Sequence, residues 1–428
     1  MSLTLIFTTV FVFLLALGLP VAAVIIIIGL MTEWVSPVSF LASLGPTAWT
    51  QSQSYLLVSI PLFILFGEIL VRSGIAGNMY GAITPWLNRV PGKLMQTNIA
   101  TSAIFAATSG SSVATAATVA SVAIPEIRKG GYNERLFLGS IAAGGTLGIL
   151  IPPSINMIVY GALTNTSIPQ LYLAGFVPGI LLMLLFMLVA GICCLFRPDW
   201  DGQAVKATWK DRLRSLPALL PPIMIFLVVV GSIYAGIATP TEAAALGVLA
   251  SVLLAAAHRK MTISLLNESI LATMRTTSML ILIMIAASFL NFAIGFMGFT
   301  KAVEDAIVNS NLGPYTVIAW IIVAYLVLGC FLDGLSMTVL TVPILAPAIV
   351  KLGFDPIWFG IIVILSTEMG LLTPPVGMNC YVVQGVRGRG SITDVFVGVA
   401  PYAAVLMLFI VMLIVFPQIA LWLPDLLK

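Results

Sequence analysis

Two short stretches concentrate backbone oxygen in this sequence: Gly148 to Asn156 reads GILIPPSIN, and Gly370 to Asn379 reads GLLTPPVGMN. Proline has no N–H and its ring blocks the carbonyl four residues back, so each Pro-Pro pair frees several backbone carbonyls. Two further stretches add side-chain oxygen. TSGSSVATAAT carries Ser109, Gly110, Ser111 and Ser112 at its centre, and LDGLSMTVLT carries Asp333. Carbonyl and hydroxyl oxygens are hard ligands, and a sodium ion is one partner that freed carbonyls could find. Asp333 has two readings, a helix N-cap or an intramembrane carboxylate with a function. Glu368, two residues before Gly370, is a candidate for the ligand region or for a proton-sensitive group. Glu68 has Arg72 one turn away, so a boundary ion pair accounts for both. The small residues from Ala114 to Val119 read as a close helix-packing surface.

The elements that must hold these oxygens are membrane helices. Of 428 residues, 60% are hydrophobic and 8% charged, and the mean hydropathy is +1.13, so a soluble globular reading fails. The opening MSLTLIFTTVFVFLLALGLPVAAVIIIIGL has no basic start and runs past the length of a signal-peptide core; it is expected to be a retained first span. Cys193, Cys194, Cys330 and Cys380 sit in apolar stretches at no metal-ligand spacing, and His258 is the one histidine, so metal hydrolysis and triad chemistry have little to work with. A net charge of +3, scattered over short loops, argues against nucleic acid.

Spans are expected near 3–33, 55–71, 136–163, 170–196, 216–236, 240–257, 273–298, 356–386 and 395–417, with interrupted stretches near 98–127 and 316–350. Amphipathic segments around Thr84 to Asn98 and Met261 to Thr273 are expected to lie along the interface. Lys and Arg are retained on the cytoplasmic side. Arg89 and Lys93 precede the first interrupted stretch and Arg128, Lys129 and Arg135 follow it, which predicts a hairpin entering from the cytoplasm. Lys301, Glu304, Asp305, Lys351 and Asp355 flank the second, which predicts a hairpin from the opposite side. The remaining basic clusters, Arg197 with Lys206, Lys210, Arg212 and Arg214, then His258 to Lys260, then Arg387 with Arg389, all fall inside on this count. The N-terminus is then cytoplasmic and the C-terminus periplasmic.

Each Pro-Pro motif follows its hairpin centre by about 40 residues, so hairpin plus broken span occurs twice in opposite orientations. The fold class is therefore an all-α polytopic membrane protein with inverted repeats, two re-entrant helical hairpins and two Pro-Pro-broken helices. That pattern matches secondary transporters, whose sites lie at the repeat interface near the bilayer midplane. Unwound backbone in hydrocarbon survives only where it is buried in protein or lines a cavity.

At IPLFILFGEILVRSG, SGSSVATAATVASVAIPEIRKGGY, GGTLGILIPPSINMIVYG, LDGLSMTVLTVPILAPAIV and GLLTPPVGMN the chain resembles the large membrane subunit of TRAP transporters, the tripartite ATP-independent periplasmic family. The resemblance implies sodium-driven uptake of an organic acid, sialic acid favoured and a C4-dicarboxylate next. It also implies an elevator-type moving domain, no enzyme activity, a small four-helix membrane subunit, a periplasmic substrate-binding protein, and a bacterial inner-membrane location. The length is expected to leave the small subunit on a separate polypeptide. Carried onto this sequence, the family's first sodium site falls on Ser109, Ser111, Gly148, Ile151 and Pro153; the internal repeat puts the second on Asp333, Gly334, Ser336, Gly370, Thr373 and Pro375. Ser112, Ser154, Asn156, Glu368 and Asn379 are expected to face the substrate.

The implied division is scaffold at 1–71, an interfacial arm at 72–97, first hairpin and broken helix at 98–163, scaffold and arm at 164–272, scaffold and connection at 273–315, second hairpin and broken helix at 316–386, and a last scaffold helix at 387–428. A stand-alone ion-coupled carboxylate carrier is the nearest alternative. A channel or an intramembrane enzyme is remote: an aspartyl protease would need two intramembrane aspartates, and Asp333 is the one found.

Overall fold

The computed structural model describes residues 3–36, 39–203, 207–308 and 312–427. Lys206, one of the residues used for orientation, lies outside them. Lipid offers no hydrogen-bond partners, so an apolar chain must pair its backbone internally. The described residues are accordingly almost all helical, with one isolated bridge between Tyr132 and Asp201. The order runs α1 (Leu3–Ala16), α2 (Val21–Val35), α3 (Leu44–Ser52), α4 (Tyr55–Arg72), α5 (Ile75–Leu87), α6 (Leu94–Ser109) and α7 (Ser112–Gly130). It continues with α8 (Glu134–Leu150), α9 (Ile155–Thr164), α10 (Ile168–Phe196), α11 (Trp209–Ser215), α12 (Leu220–Tyr234), α13 (Pro240–Ala257) and α14 (Ile263–Phe296). The last are α15 (Phe299–Val308), α16 (Pro314–Leu328), α17 (Gly334–Lys351), α18 (Pro356–Leu372), α19 (Met378–Arg387), α20 (Ile392–Val415) and α21 (Gln418–Leu426). Among the described residues five helices are long and apolar enough to cross a membrane, or eight if each of three bent pairs forms one span.

Both hairpins and both broken helices are present: α6 with α7, α16 with α17, α8 with α9, and α18 with α19. Three expectations change. The first span, 3–33, is two helices, because Gly18 takes φ +75° after α1 and Pro20 precedes α2, and a left-handed glycine followed by proline stops a helix. The amphipathic segment from Thr84 to Asn98 is not one helix. It contains the end of α5, a turn through Gly92 at φ +96°, and the start of α6. Met261 to Thr273 is not separate either: after the Thr262 cap, whose Oγ1 accepts from the Leu265 N–H at 3.1 Å, no breaker interrupts the 34 residues of α14. At 1.5 Å per residue that helix is about 51 Å long, well over the ~30 Å hydrocarbon core. The divisions at 97/98 and 272/273 therefore fall inside α6 and α14.

The two repeats interlock. Arm α7 of the first hairpin packs on α19 of the second broken helix, and arm α17 of the second hairpin packs on α9 of the first. Helix α8 sits at the centre against α6, α7 and α20, while α2, α4, α13 and α14 pack mainly on one another. The glycines of α8 allow this closeness. A Cβ on Gly139 would lie 2.0 Å from the Gly398 carbonyl oxygen, one on Gly144 2.7 Å from Ser102 Oγ, and one on Gly145 2.8 Å from the Ala116 methyl. From the α20 side, a Cβ on Gly398 would meet the Arg135 carbonyl at 1.8 Å.

Gly398→Ala is therefore expected to cost about 1–3 kcal/mol by overpacking. Gly231→Ala, where an added Cβ meets nothing within 4 Å, should be neutral or stabilising by up to about 1 kcal/mol through helix propensity. Thermal unfolding of the two purified variants checks this, and equal midpoints would contradict the α8–α20 contact.

Candidate functional site

At the first break, Gly110 ends α6 in the left-handed region and Ser111 caps α7, its Oγ accepting from the Ala114 N–H at 3.4 Å. Ser109 Oγ lies 2.6 Å from Thr115 Oγ1, and Thr115 Oγ1 donates to the Ser111 carbonyl at 2.8 Å. A Cβ on Gly148 would stand 2.5 Å from that same carbonyl, and a Cβ on Gly110 3.0 Å from the Pro153 carbonyl. Ser109, Ser111, Gly148 and Pro153 thus come together around hydroxyl and carbonyl oxygens. Ile151 caps the end of α8, its N–H donating to the Leu147 carbonyl at 3.0 Å, and its side chain packs where a Cβ on Gly179 of α10 would be, so no side-chain contact joins it to the four. Thr115 joins the cluster although the sequence placed it in a packing surface. Its position one turn after the Ser111 cap was the available signal.

At the second break Asp333 is an N-cap: Oδ2 accepts from the Leu335 and Ser336 N–H groups at 3.1 and 3.2 Å, and Ser336 Oγ donates to Oδ1. Gly334 sits against Thr367 and Asn156, with an added Cβ 2.7 and 3.4 Å from their side chains. Gly370 is pressed on Gly329, where a Cβ would reach the Gly329 Cα at 2.9 Å. Thr373 Oγ1 donates to the Gly370 carbonyl at 3.3 Å. Pro375 lies in an exposed segment with Pro374 and Val376, whereas Ile151 to Ser154 are all buried. Both Pro-Pro bonds, Pro152–Pro153 and Pro374–Pro375, are cis.

The residues expected to face the substrate lie where the repeats cross. Ser112 Oγ donates to Glu368 Oε2 at 2.9 Å and accepts from Asn379 Nδ2 at 2.6 Å, joining the first hairpin to both halves of the second broken helix. Asn156 is its reciprocal, standing on the first broken helix beside Gly334 of the second hairpin. Ser154 is spent as the cap of α9, its Oγ accepting from the Met157 N–H at 3.4 Å. All five are buried. Among the described residues no three of His, Cys, Asp and Glu come together to hold a metal.

A family model described as the tripartite ATP-independent periplasmic transporter, DctM component, matches residues 7–419. The chain belongs to this family. It is 33% identical to the ectoine TRAP transporter large permease protein TeaC of Halomonas elongata over 86% of each chain. To the C4-dicarboxylate TRAP transporter large permease protein DctM of Pseudomonas aeruginosa it is 31% identical, over 90% of this chain and 89% of that one. The sialic acid TRAP transporter permease protein SiaT of Haemophilus influenzae matches at 30% identity over 96% of this chain and 68% of its own. The crystal structure of the Alcanivorax borkumensis YdaH transporter shares the fold, with a TM-score of 0.64 over 97% of this chain and 98% of that one at 13% identity. The protein is a multi-pass TRAP large permease, a transport protein and not an enzyme.

One end of this TRAP permease is tied by charge. Arg387 bridges Glu134 at 3.0 Å and Asp394 at 3.2 Å, Arg135 pairs with Asp394 at 2.9 Å, and Arg389 with Glu134 at 2.9 Å. The network joins the starts of α8 and α20 to the end of α19. Lys93 pairs with Asp201 at 2.7 Å, and the Gly92 N–H donates to the same carboxylate at 2.6 Å. Arg72 bridges Glu68 and Glu268 at 3.0 and 2.8 Å, the boundary ion pair expected for Glu68. Nearby, Arg212 donates to the Pro85 carbonyl at 3.0 Å and lies over the Trp209 ring, tying α11 to α5.

Arg387 has 5% side-chain exposure, against 43% for Arg389. Removing the first leaves two carboxylates short of a partner in a partly dry setting, whereas the second is largely solvated. Arg387→Ala is expected to cost about 1–3 kcal/mol, discounted for the partial exposure of its partners, and Arg389→Ala under about 1 kcal/mol. Unfolding of both variants in parallel measures the difference; equal losses would mean that the network does not hold these three helices.

Proposed function

We propose that this permease is the large subunit of a sodium-driven uptake system for a small organic acid, in which the interlocked hairpins and broken helices, with α20 packed into α8 and α18, travel as one body against the remaining helices in an elevator motion. The observation that carries this reading is the crossing of the repeats: one arm of each hairpin packs on the other repeat's broken helix, which couples the two repeats. The oxygen cluster at Ser109, Ser111, Thr115, Gly148 and Pro153, and the second set at Asp333, Gly334, Ser336, Gly370 and Thr373, are the positions proposed for two sodium ions. Sodium carries one charge, so carbonyls and hydroxyls suffice at the first. Asp333 would act at the second by fixing the start of α17, because its oxygens already accept three hydrogen bonds.

The charge bias of the loops supports a bacterial inner-membrane location with the network of Arg135, Arg387 and Arg389 on the cytoplasmic side, the N-terminus inside and the C-terminus outside. Family membership supports partnership with a small four-helix membrane subunit and with a periplasmic binding protein. The relatives' names cover ectoine, C4-dicarboxylates and sialic acid at similar identity. We therefore propose a carboxylate-bearing solute, sialic acid among the candidates, with selection made chiefly by the binding protein. Two sodium ions with a monoanion carry one net charge inward, worth about 2.3 kcal/mol per 100 mV, or roughly fiftyfold accumulation from the potential alone.

In proteoliposomes, uptake is expected only when this chain, the small subunit and the binding protein are together, and only with sodium outside. Uptake that persists in choline with a proton gradient would sink sodium coupling, and uptake by this chain alone at a comparable rate would favour a stand-alone carrier. Loss of one hydroxyl worth about 0.5–1.5 kcal/mol should raise the half-maximal sodium concentration by about two- to tenfold in Ser109→Ala, Thr115→Val and Thr373→Ala. A sodium titration with membrane abundance measured in parallel decides it: unchanged half-maximal sodium with lower abundance assigns these hydroxyls to structure alone.

A further inference from the structure

We propose that Glu368, Asn379 and Ser112 form a cation site of their own, which takes a monovalent cation between the first hairpin and the second broken helix and is separate from the oxygen sets at the two helix breaks. Glu368 is 1% exposed and Asn379 fully buried. Glu368 Oε2 accepts one hydrogen bond, from Ser112, while Oε1 has no partner. Asn379 spends its amide N–H groups on Ser112 Oγ at 2.6 Å and the Ala142 carbonyl at 3.5 Å, and its Oδ1 has no partner. Both orphan oxygens belong to side chains bonded to the same hydroxyl, so both lie within one side chain's reach of Ser112 Oγ.

Buried acceptors are normally satisfied, because each one left unpaired carries its full desolvation cost. Here two remain on one three-residue node, one of them on a carboxylate, and among the described residues no lysine or arginine bridges Glu368. An ionised carboxyl in such a place is costly unless a cation accompanies it. A carboxylate, an amide carbonyl and a hydroxyl are three hard oxygens with one negative charge, matched to a hard ion of charge one.

The duplication supplies a control. Glu368 stands two residues before the glycine of its Gly-x-x-x-Pro-Pro motif, and the equivalent residue of the first repeat is Thr146. Thr146 Oγ1 donates to the Ala143 carbonyl of its own helix at 2.6 Å. The same broken helix thus forms without a carboxylate at that position, so the fold alone does not require Glu368. An ion held there would tie α7 of one repeat to α18 and α19 of the other, making the crossing of the repeats depend on cation occupancy. With Ser154 spent as the cap of α9, Asn156 is then the member of the expected substrate region left to face the solute.

This inference rests on the sodium-coupled reading, and its test separates the two. Radioactive sodium binding and sodium-induced thermal stabilisation are measured on the purified full chain in nanodiscs, for wild type, Glu368→Gln, Asn379→Ala and Ser109→Ala. Glu368→Gln, close to isosteric and neutral, should bind one sodium ion fewer per chain. Its unfolding midpoint in choline should equal or exceed that of wild type, with a smaller rise in sodium. Asn379→Ala should weaken one ion tenfold or more, and carries the test if Glu368→Gln does not fold. Ser109→Ala should retain that ion. If both node variants bind as many ions as wild type with unchanged affinity, the site is refuted while sodium coupling stands. If wild type itself binds no sodium, both readings fall.

Discussion

The structure depends on one constraint: a carbonyl freed inside a membrane must find a partner there. Two Pro-Pro pairs each free several carbonyls, and hydrocarbon supplies none of the hydrogen bonds that water would. The tip of a hairpin is brought to each break, and the hairpin reversal has the same need, because it leaves a helix start unpaired. Ser111 and Ser154 meet that need at the first break, and Asp333 meets it at the second. Side-chain caps at three of the four starts, α19 beginning at Gly377 without one, and a hairpin against each break satisfy most of these groups within protein. What stays open is oxygen without a proton donor, and that is where the proposed sodium ions would sit.

Closeness of this order sets the residues around the site. Helix α8 can touch both hairpin arms and α20 because glycine stands at four of its contact positions, Gly139, Gly144, Gly145 and Gly148. The same packing ties the two repeats together: α7 lies on α19 and α17 on α9. The ion pairs of Glu134, Arg135, Arg387 and Asp394 clamp α8, α19 and α20 at one end. Backbone contacts set the centre and charges set an end, which is the division of labour expected where only the ends meet water.

How much of this could be read from the sequence follows from the range of each interaction. Helix breaks are local, so the two Pro-Pro motifs and the small-residue hairpin centres revealed both hairpins and both broken helices. The same local rules, Gly18 before Pro20 and the absence of a breaker from Ile263 to Phe296, would have split the first apolar run and fused the start of α14, but hydropathy averages over such residues. Thr115 was hidden because threonine among alanines reads as a packing surface until its hydroxyl is seen on the Ser111 carbonyl. The bonds of Ser112 to Glu368 and Asn379 cross more than 250 residues. No periodicity encodes such a contact; the duplication of the motif was the one sign that the two halves meet.

The repeats share a motif but not an environment. Residues Ile151 to Ser154 of the first break are buried, while Pro374 to Val376 of the second are exposed. Two breaks built alike but covered unequally have unequal access, and under the proposed inverted orientation they would face opposite sides of the membrane. Under the proposed mechanism that inequality is the functional variable, since transport requires the covered and uncovered sides to exchange while the site between them persists. The exchange must not free the carbonyls into lipid at any stage, so the cover over each break has to move as packed protein. Interlocked repeats satisfy this: the hairpin that covers a break is carried along with it, and the surface that changes partners is the outer face of the core, where helical backbone is already paired.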